Sequence, residues 1–156
     1  MNKVQLSPNR YFEDLVLGEV LVSSPYTVSE QEIIDFARQY DPQYYHLDPE
    51  QAESSMFGGL IASGIHILVL WRKLEHENTG DIHWICGVAW KNLRWKNPLR
   101  AGDQIRSRTE CLAKRSSRSK PDRGLVEHRF SLLNQCDEDL FYCLSTSLVE
   151  RRPKEK

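Results

Sequence analysis

At Gly80 the hydrophobic period of this chain changes from that of a helix to that of a strand, and it does not change back. Upstream, Ser29 stands as an N-cap with Glu32 three residues on, a possible capping box ahead of Ile33-Ile34-Asp35-Phe36-Ala37-Arg38-Gln39-Tyr40. Pro42 stops that helix. A short helix opens at Asp48 with Pro49 in its first position. The apolar run Ile65-His66-Ile67-Leu68-Val69-Leu70-Trp71 reads as a helix because Ser63 can cap it, Arg72 to Glu77 extend it with helix formers, and Gly80 sits where a C-terminal cap belongs. Being apolar all round at its start, it must be buried.

Downstream, Ile82, Trp84, Cys86, Val88 and Trp90 alternate onto one face. Ile105 to Cys111, Val126 to Leu132 and Phe141 to Val149 repeat the pattern. With an early strand near Val20 to Val28, about five strands are expected. Helices first and an unbroken run of strands afterwards predict an α+β fold with an antiparallel sheet rather than βαβ units. A curved sheet wrapped around one buried helix satisfies both halves of the pattern. It leaves a sheet edge unpaired and one side of the helix start open, so a homodimer is expected.

At 156 residues the chain makes one domain, not two large ones. Its 40% apolar content supplies a core, and its mean hydropathy of -0.56 is that of a water-soluble protein. The longest apolar stretch falls far short of the ~20 residues of a membrane helix, and Met1 to Pro8 lack the apolar region of a secretory leader. No membrane association is expected, and the cytoplasm is the default compartment. Cys86, Cys111, Cys136 and Cys143 lie 25, 25 and 7 residues apart, spacings that fit reduced core cysteines better than a redox or zinc pair. His66, His76, His83 and His128 show no ligand spacing either, so no metal site is expected.

The net charge of -1 conceals a partition. Residues 1–90 hold five Lys/Arg against thirteen Asp/Glu, whereas residues 91–123 hold eleven against three. The basic part, ending in a loop read from Lys114 to Gly124, suits either an anion or plain solvation. No helix-turn-helix or finger pattern accompanies it, and a pI near 6.5 argues against nucleic acid.

Two clusters could carry chemistry. Asp41 and His46 are five residues apart, about 140° around a continuous helix. Pro42 breaks that helix, so the carboxylate and the imidazole can converge on one water and divide proton abstraction from delivery; a turn former and a loop histidine would have the same spacing. Ala62-Ser63-Gly64 opens the buried helix. The backbone N–H of Gly64 there is a candidate oxyanion donor, although a glycine that merely lets the helix pack closely would look the same.

Taken in order, Tyr11 to Glu19, Thr27 to Glu30 with Phe36-Ala37, Asp41 to Ala52, Gly59 to Gly64 and Asn97 to Asp103 resemble the MaoC-like dehydratases, the (R)-specific enoyl-CoA hydratases of the hot-dog fold. The resemblance covers residues 11 to about 150. It implies a dimer, or an oligomer built from dimers, that reversibly hydrates a trans-2-enoyl-CoA to an (R)-3-hydroxyacyl-CoA. No cofactor is implied, coenzyme A entering only as part of the substrate. By position it makes Asp41 and His46 the water-holding pair and Gly64, with Ser63 beside it, the thioester-carbonyl site; the phosphates of coenzyme A would also give the basic stretch, Lys114 and Arg115 within it, a use, although solvation explains most of those residues. The chain departs from the family in placing Tyr40 and Pro42 around the aspartate, and Gln43-Tyr44 where an Asn-Pro is usual. A hot-dog thioesterase and a non-catalytic acyl-thioester-binding protein are the alternatives.

Overall fold

A computed structural model describes residues 7–154; the stretch 1–6, most of the segment read for a leader, lies outside the described residues. Strands β1 (Val20–Val22), β2 (Tyr26–Thr27), β3 (Trp84–Trp95), β4 (Gln104–Ser116), β5 (Arg123–Leu133) and β6 (Asp139–Glu150) accompany helices α1 (Glu30–Tyr40), α2 (Tyr44–Leu47), α3 (Pro49–Glu53) and α4 (Gly64–Thr79). The sheet is antiparallel in the order β1-β4-β5-β6-β3, with β2 also on β4. It curves around α4 as the expected hot-dog α+β architecture. There are six strands rather than five because Ser23-Ser24-Pro25 splits the first one, and proline has no N–H to give a ladder.

Helix α4 lays Ile67, Leu70, Trp71 and Leu74 onto Ile105, Phe130, Leu132 and Phe141 of the sheet. Trp71 is 2% exposed and meets Phe130 at 5.1 Å and Phe141 at 5.4 Å between ring centroids. Truncating such a side chain costs about 3–5 kcal/mol. A second cluster of Phe12, Leu15, Ile82, Cys111, Val126 and Val149 closes the far end of the sheet. Gly124 belongs to that closure, since a Cβ there would stand 2.3 Å from the Phe12 ring.

One polar group interrupts the helix–sheet seam. Glu75 is fully buried, and Thr79, Ser107 and Thr109 all turn their hydroxyls to its carboxyl group. Burial pushes its pKa up, against the opposing pull of those hydroxyls and of Arg72.

Several local expectations hold. Ser29 accepts from Glu32 N–H at 3.1 Å, though the Glu32 carboxylate bonds Tyr26 and leaves the box half formed. Asp48 caps α3 through the N–H groups of Glu50 and Gln51. Gly80 does end α4, but at φ -66, without using its left-handed freedom.

Others fail. The clean alternation expected of β3 is broken by three register shifts against β6 and by Asn92 at φ 53, so Cys86 and Val88 are exposed. Cys136 is exposed as well, and only Cys111 and Cys143 are core residues. The segment read as a loop from Lys114 to Gly124 is strand up to Ser116 and again from Arg123.

Candidate active site

The helix α1 ends where Asp41 serves as its C-cap, with φ -154 and its N–H still bonded to Ala37 O. Pro42 lets the chain turn, and Gln43 starts the single turn of α2. His46 therefore sits on a helical turn rather than in a loop. Its ring is almost fully buried, while Asp41 keeps a third of its side chain exposed.

The partners of these two side chains define their states. The Nδ1 atom of His46 lies 2.6 Å from the Ile61 carbonyl, which can only accept. Nδ1 thus carries a proton, and Nε2 faces Asp41 Oδ2 at 3.7 Å. That is beyond direct hydrogen bonding and leaves room for a water shared between the two atoms. On the other side, Ser63 donates its hydroxyl to Asp41 Oδ2 at 2.6 Å. The Ser63 hydroxyl oxygen in turn accepts from Ile65 N–H at 3.3 Å, so a single fully buried serine caps α4 and orients the carboxylate.

Gly64 is the first residue of α4, and among the described residues no acceptor meets its N–H. Its lack of a side chain is also a packing requirement, because a Cβ would meet the Trp95 indole at 2.9 Å. Both readings of this glycine are therefore compatible. The segment ahead of it is fixed by Ala62 N–H on Leu99 O and Ile61 N–H on Tyr45 O, while Arg100 holds the turn before it through Phe57 O. These bonds tie the Asn97 to Asp103 segment to the Gly59 to Gly64 segment.

A cavity of about 360 Å³ opens beside His46, lined also by Gly64, Tyr45, Phe57, Ile67 and Trp95 among others, with Asp41 outside its lining. A larger surface cleft of about 670 Å³ lies between the start of β3, Asp122–Arg123 and the tail 150–154, and touches none of the pair. Its arginines are paired with Asp122, Glu13 and Asp14 of the same chain.

In the single protomer Lys114 and Arg115 lie apart from the Asp41–His46 pair and line none of the cavity beside it. The Lys114 ammonium donates to the carbonyls of Phe12 (3.0 Å), Glu13 (3.3 Å) and Leu15 (2.6 Å), pinning the turn that closes the far end of the fold. That turn packs beyond the C-terminal end of α4, about 24 Å along the helix from Gly64 at 1.5 Å per residue. Arg115 lines a separate groove together with Lys114, Lys91 and Glu127. The Ile61 carbonyl and Trp95, which the sequence reading passed over, do belong to the site.

His66, one turn into α4, stacks on Phe36 at 4.4 Å, and Phe36 touches Tyr40 next to Asp41. Burial, with a smaller push from His46, lowers the His66 pKa.

Among the described residues no helix is long and apolar enough to cross a membrane. Comparison with known proteins gives a consistent result. A solved MaoC-like dehydratase from Rhodospirillum rubrum is 36% identical, with TM-score 0.85 over 94% of this chain and 100% of that one. The Bacillus subtilis (strain 168) protein YdeM is 30% identical over 141 residues, 89% of this chain and 98% of that protein. The 3-hydroxyacyl-thioester dehydratase Z of Mycobacterium tuberculosis (strain ATCC 25618 / H37Rv) is 29% identical over 84 residues, 52% of this chain and 56% of that protein. Residues 13–129 match the family model described as MaoC like domain, and the chain belongs to that MaoC-like dehydratase family.

Proposed function

We propose that the chain adds water reversibly to the double bond of a trans-2-enoyl thioester, with an acyl-CoA as substrate and an (R)-3-hydroxyacyl-CoA as product. The observation that carries the reading is the 3.7 Å approach of His46 Nε2 to Asp41 Oδ2, with each group held by its own buried partner. A water there can give its proton to the pair as its oxygen bonds C3 of the substrate. The electrons of the C2–C3 double bond move toward the thioester oxygen, where the Gly64 N–H meets the developing charge. The pair returns one proton to C2. One O–H bond and one π bond are lost, one O–C and one C–H bond are made, and no redox cofactor is required.

We propose further that the working unit is a homodimer. Among the described residues no strand pairs with the outer edge of β3, which is twelve residues long. Ile65 and Val69 on α4, with Val88 and Trp90 on β3, leave apolar surface exposed in the single protomer.

The test is crotonyl-CoA with loss of the enoyl absorbance and appearance of free thiol followed in one tube. Absorbance loss without thiol supports hydration. Thiol release would instead identify a thioesterase, and binding without either signal a non-catalytic acyl-thioester carrier.

A further inference from the structure

The cavity beside His46 and Gly64 has one wall that is held in place. Trp95, the last residue of β3, donates its indole N–H to the Gly64 carbonyl at 3.0 Å. Its ring lies against the glycine so closely that a Cβ would meet Nε1 at 2.9 Å and Cε2 at 3.0 Å. The rest of the side chain, 49% exposed, lines the cavity. An unattached aromatic ring can rotate aside to admit a longer ligand; here rotation breaks a hydrogen bond and uncovers the backbone at the helix start.

The other walls identify which part of a thioester enters. Phe57, Ile61, Ile67 and Pro98 are aromatic or aliphatic, the Trp95 N–H is spent on Gly64, and Tyr45, Lys96 and Asn97 bring the polar termini beside His46. A pantetheine arm carries two amides that lose hydrogen bonds in such surroundings, whereas an alkyl group gains by leaving water. The cavity therefore suits the acyl group. At about 360 Å³ it lies near the small end of the ~300–1,000 Å³ range of ligand pockets, and the reacting carbons must share that space.

We propose that Trp95 is the specificity-determining residue of this site: pinned on Gly64, its indole forms a fixed wall of the acyl cavity and favours short acyl groups over long ones. The inference rests on the acyl-thioester reading above, and its test is independent of turnover. S-Butyl-CoA and S-octyl-CoA are thioethers that can be neither hydrated nor hydrolysed, so calorimetry reads their binding alone. The wild type should bind the butyl compound at least tenfold more tightly. Trp95→Ala should bring the ratio to one or reverse it, with fold checked by circular dichroism and light scattering. Trp95→Leu, which keeps an apolar side chain over Gly64, takes its place under the same criterion if Trp95→Ala does not fold. An unchanged ratio in the variant, equal wild-type affinity for both thioethers, or no binding of either overturns the inference. A shifted ratio with no crotonyl-CoA hydration leaves Trp95 in its role and removes the hydratase chemistry instead.

Discussion

The Ser63 hydroxyl donates to Asp41 Oδ2 at 2.6 Å, and through that bond the first turn of the central helix orients a carboxylate at the end of another helix. Ser63→Ala removes this donor and the α4 cap together. It should lower kcat about 10–100-fold, as losing a supporting hydrogen bond does at other sites, and lower stability by about 1 kcal/mol. Steady-state kinetics and chemical denaturation measure the two effects separately; an unchanged kcat would leave Ser63 with the cap alone.

The pair itself should behave as a unit. Asp41→Asn, His46→Gln and the double variant are each expected to lose on the order of 10²–10⁴ in kcat, with losses that do not multiply, because both groups hold one water. His66→Gln is the control, acting on stability rather than rate. Wild-type hydration rates in both folded single variants would remove the pair from the mechanism.

Two buried groups should shape stability with opposite signs. Glu75 has a raised folded pKa, so between its ordinary value of 4.5 and that raised value the native state binds more protons and stability falls as pH rises. Glu75→Gln should flatten this slope and raise the melting temperature at neutral pH. His128 is pushed down to about 4 by burial and, to a lesser degree, by Arg10, so stability falls as pH drops from 6.5 to about 4. Replacing His128 by Phe should flatten that acid limb. Melting curves across pH 4–8 test both, and parallel curves for wild type and variants would refute them.

Lys114→Ala should destabilise the chain by about 1–3 kcal/mol, since the ammonium serves three carbonyls. The KM for a CoA ester should stay at its wild-type value. A raised KM with an unaltered melting temperature would restore Lys114 to phosphate binding.

Light scattering at micromolar concentration should give at least about 36 kDa, twice the protomer mass. A fully active 18.2 kDa species would contradict the dimer.

The Asp41–His46 approach was legible because its cause is local: Pro42 ends one helix, and five residues suffice to return. The Ser63 cap was legible for the same reason. Glu75 could have been read as buried, since it falls four residues after Trp71 on the stripe that α4 turns to the sheet. The alternation of β3 was misread because bulges are set by pairing with β6, a strand more than forty residues away. Lys114 was beyond reach of any local rule. Its acceptors lie about a hundred residues earlier, and nothing in a run of cations tells which one will face carbonyls instead of solvent.

The three register shifts of β3 bear on what its unpaired edge can accept. A regular edge offers evenly repeating donors and acceptors to any extended chain. An edge stepped by bulges offers an irregular row, and only a strand with matching steps can bond along its whole length. The bulges thus act like the wards of a lock, and a foreign extended chain that reaches this edge finds few places where it can be held.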